Sequence, residues 1–343
     1  MVGKIGFRRR IAGLLPALAA VMLAGAAGTA RAAEIKVGFI PVVGIAQLFV
    51  MEGEGWAREA GLELKLTQFE SGPAMISALA SGTLDAYYGG IGPIMVAASR
   101  GVETKVVAAT AVEEMAVVAR GDLAARLGTD LAQGFKTFAQ TQGRPVRIGT
   151  QPPGSVPDTV LRYWLETVVK ADAASVQIVG MGIEQTQQAL LAGAIDAASI
   201  REPTLTLVLE RDPSMKLLAL GGEMMPNQPG SVLAVSGGLL RRDAEAVAKL
   251  VALHVRATRL LREEPARAAI HLQKELGKGM VPVATFERAL ISPASKFAAD
   301  PNQIKAATAL MQDFQLRLGV LKAAADLDAL FDDQWYRRAA VAR

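Results

Sequence analysis

The sequence predicts an α/β protein built from two similar lobes, and three observations carry that expectation. The chain contains itself twice at an offset of about 111 residues. Ile35-Lys36-Val37-Gly38-Phe39 returns as Val146-Arg147-Ile148-Gly149-Thr150, and Ala78-Leu79-Ala80-Ser81-Gly82-Thr83-Leu84-Asp85-Ala86 returns as Ala189-Leu190-Leu191-Ala192-Gly193-Ala194-Ile195-Asp196-Ala197. Such a period is too long for a solenoid, whose units repeat every ~20–50 residues. Within each copy, short β-rich runs alternate with helical patterns at the spacing of βαβ units, which implies mostly parallel sheets. Finally, Gly- or Pro-marked turns follow the strands in matching places. Two such lobes imply a cleft between them.

In the first copy, the alternation of Ile35–Ile40 predicts a strand. Pro41 to Gly44 break it, and a helix is expected from Ala46 to Ala60, closed by Gly61. Leu62–Phe69 reads as a second strand. Ser71-Gly72-Pro73 opens a short helix that ends at Gly82, with Pro73 in its first turn. Leu84–Tyr88 is a third strand, Gly89 to Pro93 turn into another helix, and Lys105–Ala111 is a fourth strand. The second copy has the same grammar: strands at Val146–Thr150, Val176–Val179, Ile195–Ile200 and Lys216–Leu220, with helices at Pro157–Val169, Glu184–Ala192 and Thr204–Arg211 between them. Gly121–Gly143 joins the copies as a polar connector with a helix at Leu123–Phe138. After Gly230 comes one more strand, Ser231–Ser236, and then helices at about Ala244–Glu264, Ala266–Leu276, Val283–Leu290, Pro301–Leu318 and Leu327–Arg338.

Composition narrows the function. The chain has 343 residues, room for two domains, and no cysteine, which excludes disulfides, thiolate metal sites and thiol nucleophiles. A pI near 9.3 invites a nucleic-acid surface. Yet residues 1–32 hold Lys4, Arg8, Arg9, Arg10 and Arg31 with no acid; without those five, 32 of the 37 Lys and Arg remain, against 33 Asp and Glu. The body is near-neutral, so no nucleic-acid partner is expected. Residues 1–32 read as a cleaved signal peptide: a basic start, an apolar stretch from Ile11 to Ala27, and Ala30-Arg31-Ala32 as the small-x-small site. Export to the periplasm follows, by the general or the twin-arginine route. With two histidines and no tight acidic cluster, neither a metal, a cofactor nor a catalytic set is expected.

In open parallel sheets, ligands sit beyond the carboxyl ends of the strands. Each copy places three turns there: Pro41–Gln47, Ser71-Gly72-Pro73 and Gly90-Ile91-Gly92-Pro93, then Gln151–Val156, Gly182-Ile183 and Arg201-Glu202-Pro203. Most lead into helix N-termini, whose free N–H groups suit a polar or anionic group.

At these residues the mature chain resembles periplasmic solute-binding proteins of ABC importers in the nitrate/sulfonate/taurine (NitT/TauT) and thiamine-precursor family. Val37-Gly38-Phe39-Ile40-Pro41, Gln47-Leu48-Phe49-Val50, Phe69-Glu70-Ser71-Gly72-Pro73-Ala74, Pro153-Gly154-Ser155 and Glu202-Pro203 carry the resemblance, together with the duplicated Gly-x-x-Asp segments. It implies the two-lobe periplasmic-binding-protein fold of type II. Lobe 1 would comprise 33–111 and 231–343, and lobe 2 would comprise 112–230, closing about crossovers near Thr110–Met115 and Gly221–Ser231. It further implies a monomer that captures a small organic anion or zwitterion (a sulfonate, a carboxylate or a heterocyclic precursor) and delivers it to a permease and ATPase complex. Carried over by position, ligand contacts would come from Gly44, Gln47, Ser71, Gly92, Gly154, Ser155 and Arg201. The family often has an aromatic residue where Arg201 stands.

Reading single residues adds Gly72, Tyr88 and Glu114 to the candidates. Arg201 ends an apolar strand, where a cation wants either a ligand anion or an internal Glu113, Glu114 or Glu202. A hinge glutamate could bind a ligand amine. Tyr87 and Tyr88 are neighbours on a strand and so face opposite sides. Asp85 and Asp196 recur in both copies, which favours a structural role. A sensory binding protein, or less readily a pyrimidine-synthase-like enzyme on the same fold, stands as the alternative reading.

Overall fold

The computed structural model describes residues 1–3 and 32–341. The leader expected over 1–32 lies almost wholly outside the described residues. Among the described residues twelve strands follow in order: β1 (Ala33–Phe39), β2 (Leu62–Gln68), β3 (Ala86–Gly90), β4 (Thr104–Ala109), β5 (Ala111–Val112), β6 (Ala116–Ala119), β7 (Val146–Thr150), β8 (Val176–Gly180), β9 (Ala197–Ile200), β10 (Lys216–Leu220), β11 (Ser231–Ser236) and β12 (Lys296–Phe297).

Ten of them form two five-stranded sheets with one wiring, and β5 pairs with β12. Lobe 1 has the order β2-β1-β3-β11-β4 and lobe 2 the order β8-β7-β9-β6-β10. In each, the first strand pairs in parallel with the second and third, and one antiparallel strand is inserted beside the third. That inserted strand is the one just after a crossover: β6 enters lobe 2 from lobe 1, and β11 returns to lobe 1. The duplication survives at the level of register, for Val37 lies opposite Ala86 and Ile148 opposite Ala197.

The recurring residues are scaffold. Asp85 accepts the Lys36 N–H at 3.0 Å and Asp196 accepts the Arg147 N–H at 2.8 Å, so each carboxylate ties the entry of the third strand to the first. Gly38 and Gly149 leave room for Leu84 and Ile195, whose δ-methyls would collide with a Cβ there.

Several expectations need correction. The helix expected over Ala46–Ala60 is two, Ala46–Gly53 and Trp56–Glu59, because Gly55 adopts φ 77° and breaks it. The connector helix is also two, Gly121–Arg126 and Leu131–Gln142. The helix after Ser155 starts at Val156 and passes into a π-helical turn at Trp164–Val169. Strand β6 was not foreseen; four residues of Ala-Val-Val-Ala carry too little pattern to stand out.

The helices after residue 237 do more than extend lobe 1. Ala244–Glu263 packs on Ala46–Gly53, whereas Asn302–Arg317 reaches lobe 2 as well. There the Gln315 amide donates to Thr159 Oγ1 at 2.9 Å, and Arg317 pairs with Glu166 at 2.8 Å. On the other side, Arg288 from Val283–Leu290 pairs with Glu210 of lobe 2 at 2.6 Å.

Candidate functional site

The turns beyond the strand ends of the two lobes face one another and touch. The Val43 N–H donates to the Glu202 carbonyl at 2.9 Å, and the Ile183 N–H donates to the Glu70 carbonyl at 3.3 Å. A Cβ built on Gly92 would stand 2.7 Å from the Gly154 carbonyl oxygen, so only glycine permits this approach. What remains between the lobes is a cavity of about 20 Å³ lined by Val42, Gln151, Ile183, Thr186, Ser199, Ile200, Arg201 and Thr204. That is room for one water, which needs about 10–15 Å³. The Ser199 and Thr150 hydroxyls are buried without a hydrogen-bond partner. A larger hollow of about 420 Å³ lies at one mouth of the seam, against Pro73, Pro93, Gly154 and Val320. Another of about 270 Å³ lies at the opposite mouth, against Pro41, Ile183, Pro203 and Met280.

The floor is made by the crossovers, which bond to each other. The Glu113 N–H donates to the Gln228 carbonyl at 2.9 Å, and the Gln228 side-chain oxygen accepts the Met115 N–H at 3.2 Å. Strand β12 adds a third layer by pairing with β5. Arg201, at the end of β9, is 4% exposed. Its Nη1 lies 3.4 Å from Glu114 Oε1 and 3.4 Å from Ser231 Oγ, while Nε points at the Met115 sulfur at 3.2 Å. Ser231 in turn donates to Glu114 Oε1 at 2.7 Å. Of the partners left open for Arg201, the structure selects Glu114. Glu113 pairs with Lys296 instead, and Glu202 accepts from the Thr206 N–H and hydroxyl, each at 3.0 Å. Burial raises the pKa of Glu202, against the pull of those hydrogen bonds and one from Ser292.

The other candidates divide into three groups. Gly72, Gly92, Gly154 and Ser155 line or abut the seam; the Ser155 hydroxyl caps its helix by accepting the Asp158 N–H at 3.3 Å, and Ser71 caps the helix Gly72–Ala80 without a side-chain bond. Gly44 and Gln47 stand behind it. Gly44 leaves the space that Glu114 Oε2 fills. The Gln47 amide donates to the Thr110 carbonyl at 2.8 Å and also reaches Thr258 and Ala298, which makes it a tie at the hinge.

Tyr88 points away from the seam. Its hydroxyl meets His254 Nδ1 at 3.2 Å inside lobe 1, while the Tyr87 hydroxyl donates to the Gly90 carbonyl at 2.9 Å beneath the turns. Strand alternation separates the pair, and it is Tyr87 that lies near Arg201 and Glu114. Burial raises the Tyr87 pKa, so its hydroxyl stays protonated. His254 is buried and neutral. Its Nε2 faces the Ala109 carbonyl at 2.8 Å, which can only accept, so Nε2 carries the proton and Nδ1 accepts from Tyr88. Of the tyrosine pair, sequence reasoning chose Tyr88 where the structure places Tyr87, and it did not find Gln228 or Ser231 as parts of this cluster. Gln228 and Ser231 carry no local signal, because Met115 and Glu114, which they hold, lie more than 100 residues away. Among the described residues no group of three or more His, Asp or Glu side chains could hold a metal.

Residues 28–273 match the model of the NMT1-like family. A protein of Brucella abortus named only as a binding protein is 27% identical over 224 residues, 64% of each chain, so the match spans under two thirds of that relative's length. Among solved structures, the chain is similar to the periplasmic nitrate-binding protein NrtA from Synechocystis PCC 6803, with TM-score 0.77 and 16% identity over 90% of this chain and 89% of that one. It is also similar to the alkanesulfonate-binding protein SsuA from Xanthomonas axonopodis pv. citri, with TM-score 0.70 and 19% identity over 89% and 99%. At these identities the likeness is one of fold.

Proposed function

The chain belongs to the NMT1-like family, and from that premise we propose that it is the solute-binding component of an ABC importer. In this reading it is exported to the periplasm through a cleaved leader at 1–32. It works as a monomer without catalysis and hands its solute to a permease and ATPase complex. Lobe 1 is 33–111 with 231–343, and lobe 2 is 112–230. The solute is a small organic anion or zwitterion held between the lobes near Arg201, against Gly72, Gly92, Gly154 and Ser155.

The observation that carries this is the seam itself: turns from both duplicated lobes, at Val42, Gly90, Gln151 and Ile183, gather around the buried Arg201 above a hinge. A cavity of about 20 Å³ is too small for such a solute, so the lobes part to load it. Opening about the crossovers breaks the contacts across the seam, such as Val43 to Glu202 and Ile183 to Glu70, and has to loosen the bridges from the C-terminal helices to lobe 2 at Gln315, Arg317 and Arg288. The absence of catalysis is supported by where the histidines stand. His254 lies in the core of lobe 1 and His271 pairs with Glu54 at 2.8 Å, both away from the turns. Native mass spectrometry of freshly purified mature chain is expected to show one bound solute per chain. The reading is abandoned if nothing co-purifies and if no carboxylate, sulfonate, amino acid or heterocycle raises the melting temperature.

A further inference from the structure

We propose that Gln151 and Ser199 of lobe 2 recognise the head of the solute, and that this head is the oxyanion of a small organic acid, a carboxylate or a sulfonate. This deepens the solute-binding reading above and rests on it. Of the described residues that line the inter-lobe cavity, only Val42 belongs to lobe 1. The rest, including every polar or charged one, belong to lobe 2. The hydrogen-bonding chemistry of the cavity is therefore lobe 2's, and lobe 1 meets it there with an apolar residue.

Two of the lining residues carry polar groups with nothing to bond. Ser199 is 3% exposed, and its hydroxyl has no hydrogen-bond partner. Gln151 is 7% exposed, and among the described residues its side-chain amide makes no hydrogen bond. By contrast, Thr186 and Thr204 line the same cavity but have committed their hydroxyl protons, to the Gly182 carbonyl at 2.8 Å and to Gln187 Oε1 at 3.2 Å. Buried polar groups without partners are costly, so a seam that shuts without a solute carries a penalty that the right solute removes. Arg201 decides which solute that is. Its Nη1 faces Glu114 and Ser231, and its Nε faces the Met115 sulfur, whereas Nη2 makes no hydrogen bond among the described residues. A guanidinium only donates, so a head that meets Arg201 has to accept. The Ser199 hydroxyl and the Gln151 N–H can then donate to the same head. Donors from these three side chains on one wall suit the oxygens of a carboxylate or a sulfonate, and hydrogen bonds to an ionised acceptor are the stronger kind. Because Glu114 already balances the charge of Arg201, it is the hydrogen bonds from Ser199 and Gln151 that set the affinity.

The test is calorimetric titration of the mature chain with propionate and with ethanesulfonate, the two arms separating carboxylate from sulfonate. At least one is expected to bind, and Ser199→Ala and Gln151→Leu are each expected to weaken it roughly tenfold or more, as for loss of a hydrogen bond to a charged group. Thr150→Val is the control. Thr150 follows Gly149, which is in register with Ala198, so it stands beside Ser199; its hydroxyl is likewise buried without a partner, but it does not line the cavity. Its loss is expected to leave the affinity unchanged. Unchanged affinity in either Ser199→Ala or Gln151→Leu overturns the proposal, as does a loss in Thr150→Val equal to theirs. The wild-type chain supplies an arm that no misfolding affects: the neutral amides of the two acids are expected to bind at least tenfold more weakly than the anion that binds, and equal binding overturns the proposal. Failure of both anions to bind the wild-type chain overturns it too, while a co-purified solute without an oxyanion head would leave the receptor reading standing.

Discussion

In lobe 1 the Asp85 carboxylate accepts the Lys36 N–H and pairs with Arg242 at 2.8 Å; in lobe 2 Asp196 accepts the Arg147 N–H and is gripped by Arg144 at 2.6 and 2.8 Å. The strands, register and small-residue notches agree to the same degree. The lobes part company at the turn after the third strand. Lobe 1 has Gly90-Ile91-Gly92 there, and lobe 2 has Arg201-Glu202-Pro203. Behind that turn, lobe 1 buries the Tyr88–His254 pair, whereas Ala198 and Ser199 stand in β9. Duplicated positions hold the sheets, and the positions that differ hold the candidate site and its support.

The largest expected difference between the lobes is in acid. Burial pushes His254 down to about 4 from 6.5, although the carbonyls of Ala109 and Ala298 pull it partly back. An unfolded chain binds that proton from about pH 6.5 downward and the folded chain does not, so stability is full above 6.5 and falls as pH drops toward 4. The loss approaches about 3 kcal/mol for a shift of this size. Urea unfolding at stepped pH is expected to show this slope in the wild-type chain and a shallower one in His254→Gln. Parallel slopes would mean that the Tyr88–His254 pair is not what distinguishes lobe 1.

The matched aspartates come next. Asp196→Ala is expected to cost roughly 2–3 kcal/mol, as for hydrogen bonds to a charged group, and Asp85→Ala somewhat less, because its arginine makes one contact instead of two. For Asp196, burial alone would raise the pKa, but Arg144 and the Arg147 N–H outweigh it, so the net shift is downward. Its contribution is present above the ordinary carboxylate range and is lost as pH falls through the lowered value. Chemical denaturation of both variants at neutral pH and in acid checks this. A larger cost at Asp85 would reverse the ranking.

Much of this comparison was legible in the sequence because backbone geometry forced it. Gly38 and Gly149 recur where a Cβ would meet the δ-methyl of Leu84 or Ile195, and Asp85 and Asp196 recur since each holds an N–H of the first strand. The architecture followed from those positions. The candidate site was less legible because its decisive contacts are long-range pairings of side chains with no period. The sequence left three glutamates open for Arg201, and only the hinge geometry selects Glu114. Alternation put the two tyrosines on opposite sides, and the choice of Tyr88 for the seam fell on the one that meets His254 inside lobe 1. The bridging of both lobes by Asn302–Arg317 depends on where a helix lies in space, through Gln315 and Thr159, and amphipathicity does not encode that.

The smallest expected effect is the sharpest check on equivalence. In Gly38→Ala the new methyl meets Leu84 Cδ1, and in Gly149→Ala it meets Ile195 Cδ1; in each the obstacle is the flexible end of a side chain and not backbone. Overpacking of that kind costs about 1 kcal/mol when the neighbour can turn aside. The two variants are therefore expected to lower stability by similar amounts, measured as the shift in denaturation midpoint at constant slope. Shortening the neighbour, as Leu84→Val with Gly38→Ala or Ile195→Val with Gly149→Ala, should recover part of the loss in both lobes. Rescue in one lobe but not the other would show that the shared notch is coincidence, since the same clash relieved in the same way has to behave alike wherever the scaffold is truly repeated.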